Sequence, residues 1–193
     1  MNKADPASED LQLPAAVCGL LCEALPRANS FDAALSVIER VRQAMLGDGL
    51  LTVNKVETLP ASAGEFELQR LWSSNLQAYP VAGLKRKTLT PWSRQLLLRH
   101  DVFVGEGDAA LTSVFDDHAR IMALGLHGVV NVPLLIEGRC AATFNVLSGR
   151  AQWLPRDVSL IRLLAVLAKP WVLQSANRQG PLDPLAPAST PAA

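Results

Sequence analysis

The sequence predicts an α+β domain: a central antiparallel sheet of five to six strands with helices on both faces. Two observations lead there. Residues 129–136 and 139–147 are rich in apolar and β-branched side chains and flank Glu137-Gly138, the strongest hairpin signal in the chain. Around this hairpin the elements run helix, helix, strand, strand, loop, strand, helix, strand, strand, helix, a meander with helices before, between and after the strands.

In chain order, residues 1–10 lack sustained apolar periodicity and read as a flexible tail. Leu13, Val17, Leu20, Leu21 and Leu25 follow helical spacing, and Pro26 ends that segment. Ser30 is a good N-cap with Asp32 in the first turn behind it. The helix it opens carries Phe31, Leu35, Ile38, Val41 and Met45 as an apolar stripe until Gly47 and Gly49. Residues 50–56 and 66–74 alternate like antiparallel strands, and Pro60, Ala61, Ser62, Ala63 and Gly64 between them read as a hairpin connection.

Residues 79–99 read as an ordered loop with a short helical run at 94–99. A short strand at 101–104 follows. Gly105-Glu106-Gly107-Asp108 then leads into a single helix marked by Leu111, Val114, Phe115, His118, Ile121 and Met122 and closed by Gly125. Gly105-x-Gly107 is read as a turn needing positive φ. Pro155 opens the last helix, which packs through Leu160, Ile161, Leu164, Leu167 and Trp171. From about residue 174 onward Pro181, Pro184, Pro187 and Pro191 recur too often for helix or strand, so disorder is expected. One domain over 11–173 between tails at 1–10 and 174–193 results.

The chain has 193 residues, enough for one domain burying roughly 70% of its unfolded surface. Its 18 basic and 18 acidic side chains balance, which removes the electrostatic attraction that nucleic-acid binders rely on. The apolar stretch 158–168 contains Arg162 and is shorter than the ~20 residues that span a bilayer. The acidic N-terminus (Asp5, Glu9, Asp10) has no signal-peptide pattern, so a cytoplasmic protein with neither nucleic-acid nor membrane partner is expected. Cys18, Cys22 and Cys140 match neither a redox nor a zinc spacing, and His100 and His127 stand alone. No metal or cofactor is expected.

The segment Asn131-Val132-Pro133-Leu134, the turn at Glu137-Gly138 and Thr143-Phe144-Asn145-Val146-Leu147 resemble the paired-strand signature of GAF domains, a family of small-molecule sensing modules. The resemblance covers roughly residues 30–173; Ala142 departs from it, standing where the family commonly has glycine. It implies an antiparallel sheet with the terminal helices on one face and a pocket on the other. It also implies a dimer through those helices, and Leu13, Val17, Leu20 and Leu21 are expected to seek a surface outside their own chain. The family's methionine sulfoxide reductases and bilin-binding members use pocket cysteines. Cys140 alternates with the core-facing residues of its strand, so neither chemistry is expected here.

Strand alternation separates Val130, Val132, Leu134 and Ile136 from Val129, Asn131 and Pro133, and Phe144 and Val146 from Thr143, Asn145 and Leu147. With Asn131 and Asn145 on one face, a selective pocket is expected from Arg70, Trp72, Ser74, Tyr79, Lys85, Trp92, Phe115, Asp117, Asn131, Thr143 and Asn145. Arg70 can fork onto a carboxylate or phosphate, aromatic rings can cover a planar group, and an acid can receive an amine. Alternation places Arg70 and Trp72 on the same face but leaves open which one. The plainer alternative pairs Arg70 with Asp117 and puts Trp72 and Trp92 in the core. Asp116 with Arg120 reads as a surface i,i+4 pair and His118 as a satisfied core histidine. The expected role is a non-catalytic small-molecule sensor signalling through a dimer or partner protein. An enzyme of small-metabolite chemistry and a pure interaction module are the alternatives.

Overall fold

Pro14 opens the first helix, α1, whose α turn Ala15–Gly19 continues as a π turn over Leu20–Ala24. This is a computed structural model, and it describes residues 10–58, 65–81 and 83–178. The Ser30 hydroxyl accepts from the Ala33 N–H (3.1 Å) and starts α2, Phe31–Leu46, which ends at Gly47 with φ +78°. The strands are β1 Gly49–Thr58, β2 Phe66–Ser73, β3 Leu84–Lys87, β4 Phe103–Glu106, β5 Gly128–Ile136 and β6 Arg139–Ser148. They form one sheet in the order β3-β2-β1-β6-β5-β4, with every neighbouring pair antiparallel. Glu137 and Gly138 both take positive φ (47° and 75°) and close the β5–β6 hairpin in the geometry a two-residue turn requires. The expected connection at residues 60–64 lies outside the described residues.

Two helices cover one face of the sheet. The inward residues of α2 (Leu35, Ile38, Val41) and of α6, Pro155–Arg178 (Leu160, Ile161, Leu164, Ala168, Val172), pack on Val53, Val130, Val132, Phe144 and Val146. α6 runs beyond the expected end at Leu173 to Arg178. Among the described residues it is the one helix long and apolar enough to cross a membrane, a length that the stretch broken at Arg162 understated. Its inward face is sheet core here. α1 differs from expectation in one respect: Val17 is buried, and Leu13, Leu20 and Leu21, half-buried, pack against the same core, so this apolar stripe finds a surface on its own chain.

The opposite face carries shorter elements. The presumed loop at 79–99 contains the edge strand β3 and a helical segment, α3, built from Pro91–Ser93 and a π turn over Arg94–Leu98. A capping box between Thr90 and Ser93 starts it. The helix expected after Gly107 is two helices, α4 Gly107–Val114 and α5 His118–Ala123. Gly107 has φ +75°, the turn conformation its position suggested. Between the two helices Phe115 is extended (φ −112°, ψ 122°), which frees the Phe115–Asp117 side chains from helical spacing.

Candidate functional site

Two bulges decide what faces the site. In the β1–β2 ladder Val53 pairs with Trp72 and Asn54 with Arg70, so Leu71 is an extra residue on β2. Arg70 and Trp72, placed together by simple alternation, therefore face opposite sides of the sheet. Trp72 belongs to the helix-side core, where its Nε1–H donates to Asp32 Oδ1 at 2.8 Å. In the β5–β6 ladder Leu134 pairs with Ala142 and Leu135 with Cys140, leaving Ala141 unpaired. That bulge moves Cys140 off the helix-side set and onto the cluster of Phe66, Leu68, Trp92 and Leu96.

A cavity of about 60 Å³ lies on the face opposite α2 and α6. Its floor comes from alternate residues of four strands: Leu68 and Arg70 of β2, Leu50, Thr52 and Asn54 of β1, Asn145 and Leu147 of β6, and Val129 and Asn131 of β5. Trp92 of α3, Phe115, Asp117 and Ile121, with Tyr79, Gly83, Lys85 and Lys87, complete its wall. The Trp92 and Phe115 rings meet edge-on, with centroids 6.2 Å apart.

The floor holds a continuous hydrogen-bond chain. Trp92 Nε1–H donates to Asn131 Oδ1 (3.0 Å), and Asn131 Nδ2–H donates to Asn145 Oδ1 (2.9 Å). Asn145 Nδ2 reaches the Thr52 carbonyl at 3.3 Å. The two asparagines are direct cross-strand partners, so the ladder itself makes this contact.

Solved structures share this fold. The GAF domain of a phosphoenolpyruvate-protein phosphotransferase from Coxiella burnetii aligns with TM-score 0.57 at 13% identity, over 86% of this chain and 96% of that one. The GAF domain of the corresponding Acinetobacter protein aligns with TM-score 0.58 at 11% identity, over 89% and 100%. This chain has the GAF-domain fold. The chromophore-binding domain of an unusual bacteriophytochrome from R. palustris is also similar (TM-score 0.55, 11% identity), over 85% of this chain. The chain spans 62% of that domain's length. No protein-family model and no curated protein sequence matches.

Within the GAF fold, eight of the eleven expected site residues line the cavity: Arg70, Tyr79, Lys85, Trp92, Phe115, Asp117, Asn131 and Asn145. Three do not. Trp72 is on the far side of the sheet. The Ser74 hydroxyl accepts from the Leu51 N–H at 3.0 Å and serves the end of the β1–β2 pairing. Thr143 shares the face of Asn145 but is fully buried outside the cavity, with Oγ1 unbonded. Thr52, Asn54, Val129 and Leu147 were missed, although alternation from Asn131 and Asn145 marks them. Lys87 was missed because β3 was read as loop.

Ion pairs close one side of the cavity. Lys85 Nζ donates to Asp117 Oδ2 at 2.7 Å, and Lys87 pairs with Asp116, so neighbouring acids bind alternate residues of β3. Asp116 thus does not pair with Arg120, whose Nη1 donates to the Ala78 carbonyl (3.4 Å). Burial raises the Asp117 carboxyl, but the hydrogen bond and charge of Lys85, with Lys87 adding, outweigh it and hold it below its ordinary value. His118 Nδ1 lies 3.0 Å from the Phe115 carbonyl and is held there rather than aimed at a ligand.

Arg70 stands apart from these pairs. Its Nη1 donates to the Pro80 carbonyl (3.2 Å) and its guanidinium carbon sits 4.8 Å from the Tyr79 ring centroid. The alternative pairing of Arg70 with Asp117 is not made; Lys85 has taken that carboxylate. Burial lowers the guanidinium pKa, against a raising effect from Asp117. Burial, with the Asp117 charge, pushes the Tyr79 hydroxyl up to about 12. Arg70 Nε and Tyr79 Oη are both buried without a hydrogen-bond partner.

Proposed function

We propose that this chain is a sensory GAF domain that reversibly binds a small molecule in the cavity between the sheet and α3–α5, and has no catalytic role. The observation that carries this reading is a cavity floored by the sheet and lined by Arg70, whose guanidinium bonds a neutral carbonyl and no carboxylate among the described residues. Buried polar groups ordinarily find partners, and a ligand would supply them. One structurally similar protein was solved in a far-red absorbing dark state with bound biliverdin IXa (TM-score 0.56, 11% identity, over 82% of this chain and 98% of that one). That likeness supports ligand binding by this fold. The size of the cavity argues for a much smaller one. At about 60 Å³ it holds on the order of four water molecules and lies far below the ~300 Å³ of ordinary ligand sites.

The signal would pass in the cytoplasm to a second copy or a partner protein. Pairing of two copies would use the outer face of α6, where Val166 is exposed. Native and denaturing mass spectra of freshly purified protein test the reading together. A noncovalent extra mass, lost on denaturation, is the expected result. A bare species that also fails to bind any fragment in solution would overturn it.

A further inference from the structure

The cavity wall is charged, and its charges do not balance. Lys85 is matched by Asp117 and Lys87 by Asp116, so each β3 lysine has its own acid. Among the described residues Arg70 has no carboxylate within ion-pair distance, and its one hydrogen bond goes to a neutral carbonyl. A guanidinium taken partly out of water without a counter-ion is costly, and a bound anion would offset that cost. An amine ligand would instead have to displace Lys85 from Asp117. Beside Arg70 stands Tyr79, whose ring centroid lies 4.8 Å from the guanidinium carbon. The remaining surface near these two groups is apolar, from Leu50, Leu68, Ile121, Val129 and Leu147.

Resting on the sensor reading above, we propose that the ligand is a short-chain monocarboxylate. Its carboxylate pairs with the Arg70 guanidinium beside Tyr79, and its small apolar body lies over the Val129 and Leu147 side of the floor. The cavity sets the body size. A dry apolar cavity of about 150 Å³ accommodates benzene, so about 60 Å³ suits a branched aliphatic group more than an aromatic ring.

Three compounds of one shape separate charge from fit: isobutyrate, isobutyramide and isobutyramidinium, each titrated into the intact protein. The readout is the indole N–H resonance of Trp92, assigned with Trp92→Phe, because that group sits in the cavity wall and donates to Asn131. Isobutyrate is expected to shift it saturably, with the amide at least about tenfold weaker and the amidinium silent. Arg70→Gln is expected to bring acid and amide within about threefold of each other, while Arg70→Lys keeps part of the preference. Retained dispersion of the other amide resonances shows that each variant is folded. Binding of the amide or amidinium as tightly as the acid would overturn the carboxylate assignment and leave the sensor reading standing. If no fragment of any charge moves the Trp92 resonance, both fall.

Discussion

Lys85 Nζ and Asp117 Oδ2, 2.7 Å apart, tie the edge strand β3 to the break between α4 and α5 across the side of the cavity. The pair is partly solvated, with side-chain exposures of 39% and 24%, so its stabilisation is expected to be no more than about 1 kcal/mol. Its pH signature is more specific. The folded-state pKa of Asp117 is lowered, so as pH falls the unfolded chain takes up this proton first. The contribution is complete above the unfolded value near about 4 and is lost as pH drops through the lower folded value. Urea unfolding of wild type and Asp117→Asn across that range should show a stability difference at neutral pH that shrinks below about pH 4. A gap that stays constant into acid would contradict the assignment.

Asn131 is 2% exposed and bonded on both sides, to Trp92 and to Asn145. Asn131→Ala leaves a donor and an acceptor buried without partners and opens a small void, a loss expected at about 2–4 kcal/mol. Replacing Trp92 by Phe removes one of those orphaned groups. The double variant Trp92→Phe/Asn131→Ala should therefore lose less than the sum of the single losses, by about 0.5 kcal/mol or more. Chemical denaturation of the four proteins measures this directly, and strict additivity would show that the chain is not coupled.

The contact between Asn131 and Asn145 was legible because hairpin closure at Glu137-Gly138 sets a register that brings the two together, and period-two alternation gives their face. Arg70 and Trp72 were not separable that way. Alternation has no means of registering one extra residue, and the bulge at Leu71 becomes definite only against β1. The Phe115–Asp117 break has a similar cause. Helical spacing runs straight through it, while the lysines that draw Asp116 and Asp117 apart from the helix lie on β3, about thirty residues away in sequence. Local pattern found the floor of the site, and pairing between distant segments built its wall.

The bulge at Leu71 makes a separable prediction for the two residues on either side of it. Trp72→Phe loses the hydrogen bond to Asp32 and part of the helix-side packing, so a destabilisation of about 1–2 kcal/mol is expected. Because the sheet stands between this side chain and the cavity, the dissociation constant of any pocket ligand should stay within about twofold of wild type. A large affinity loss in Trp72→Phe would mean that the two faces are not independent.

Cys140 lies on the cavity-side cluster, but burial pushes its thiol up to about 12, well away from a reactive thiolate. Cys22 is exposed and Cys18 half-buried. Iodoacetamide at about pH 8 should therefore alkylate Cys22 first in the folded protein and reach Cys140 only after unfolding. Peptide mass mapping over time reads the order. Early labelling of Cys140 would reopen a thiol chemistry for the pocket.

Gly128 and Gly138 test two different demands for glycine in β5–β6. A Cβ at Gly128 would lie 2.4 Å from the Arg150 carbonyl oxygen and 2.9 Å from Trp153 Nε1. A backbone oxygen cannot rotate away, so Gly128→Ala has to shift the segment after β6 against β5, at a cost of about 1–3 kcal/mol or more. Gly138 has open space around it and φ of +75°, so Gly138→Ala meets no neighbour and carries only the left-handed backbone cost of roughly 1 kcal/mol. Urea midpoints should rank Gly128→Ala below Gly138→Ala. Gly138→Asn should recover part of the loss, because asparagine tolerates that conformation, while Gly128→Asn should be worse than Gly128→Ala. The opposite ranking would place the close approach of β5 to the Arg150 backbone in error.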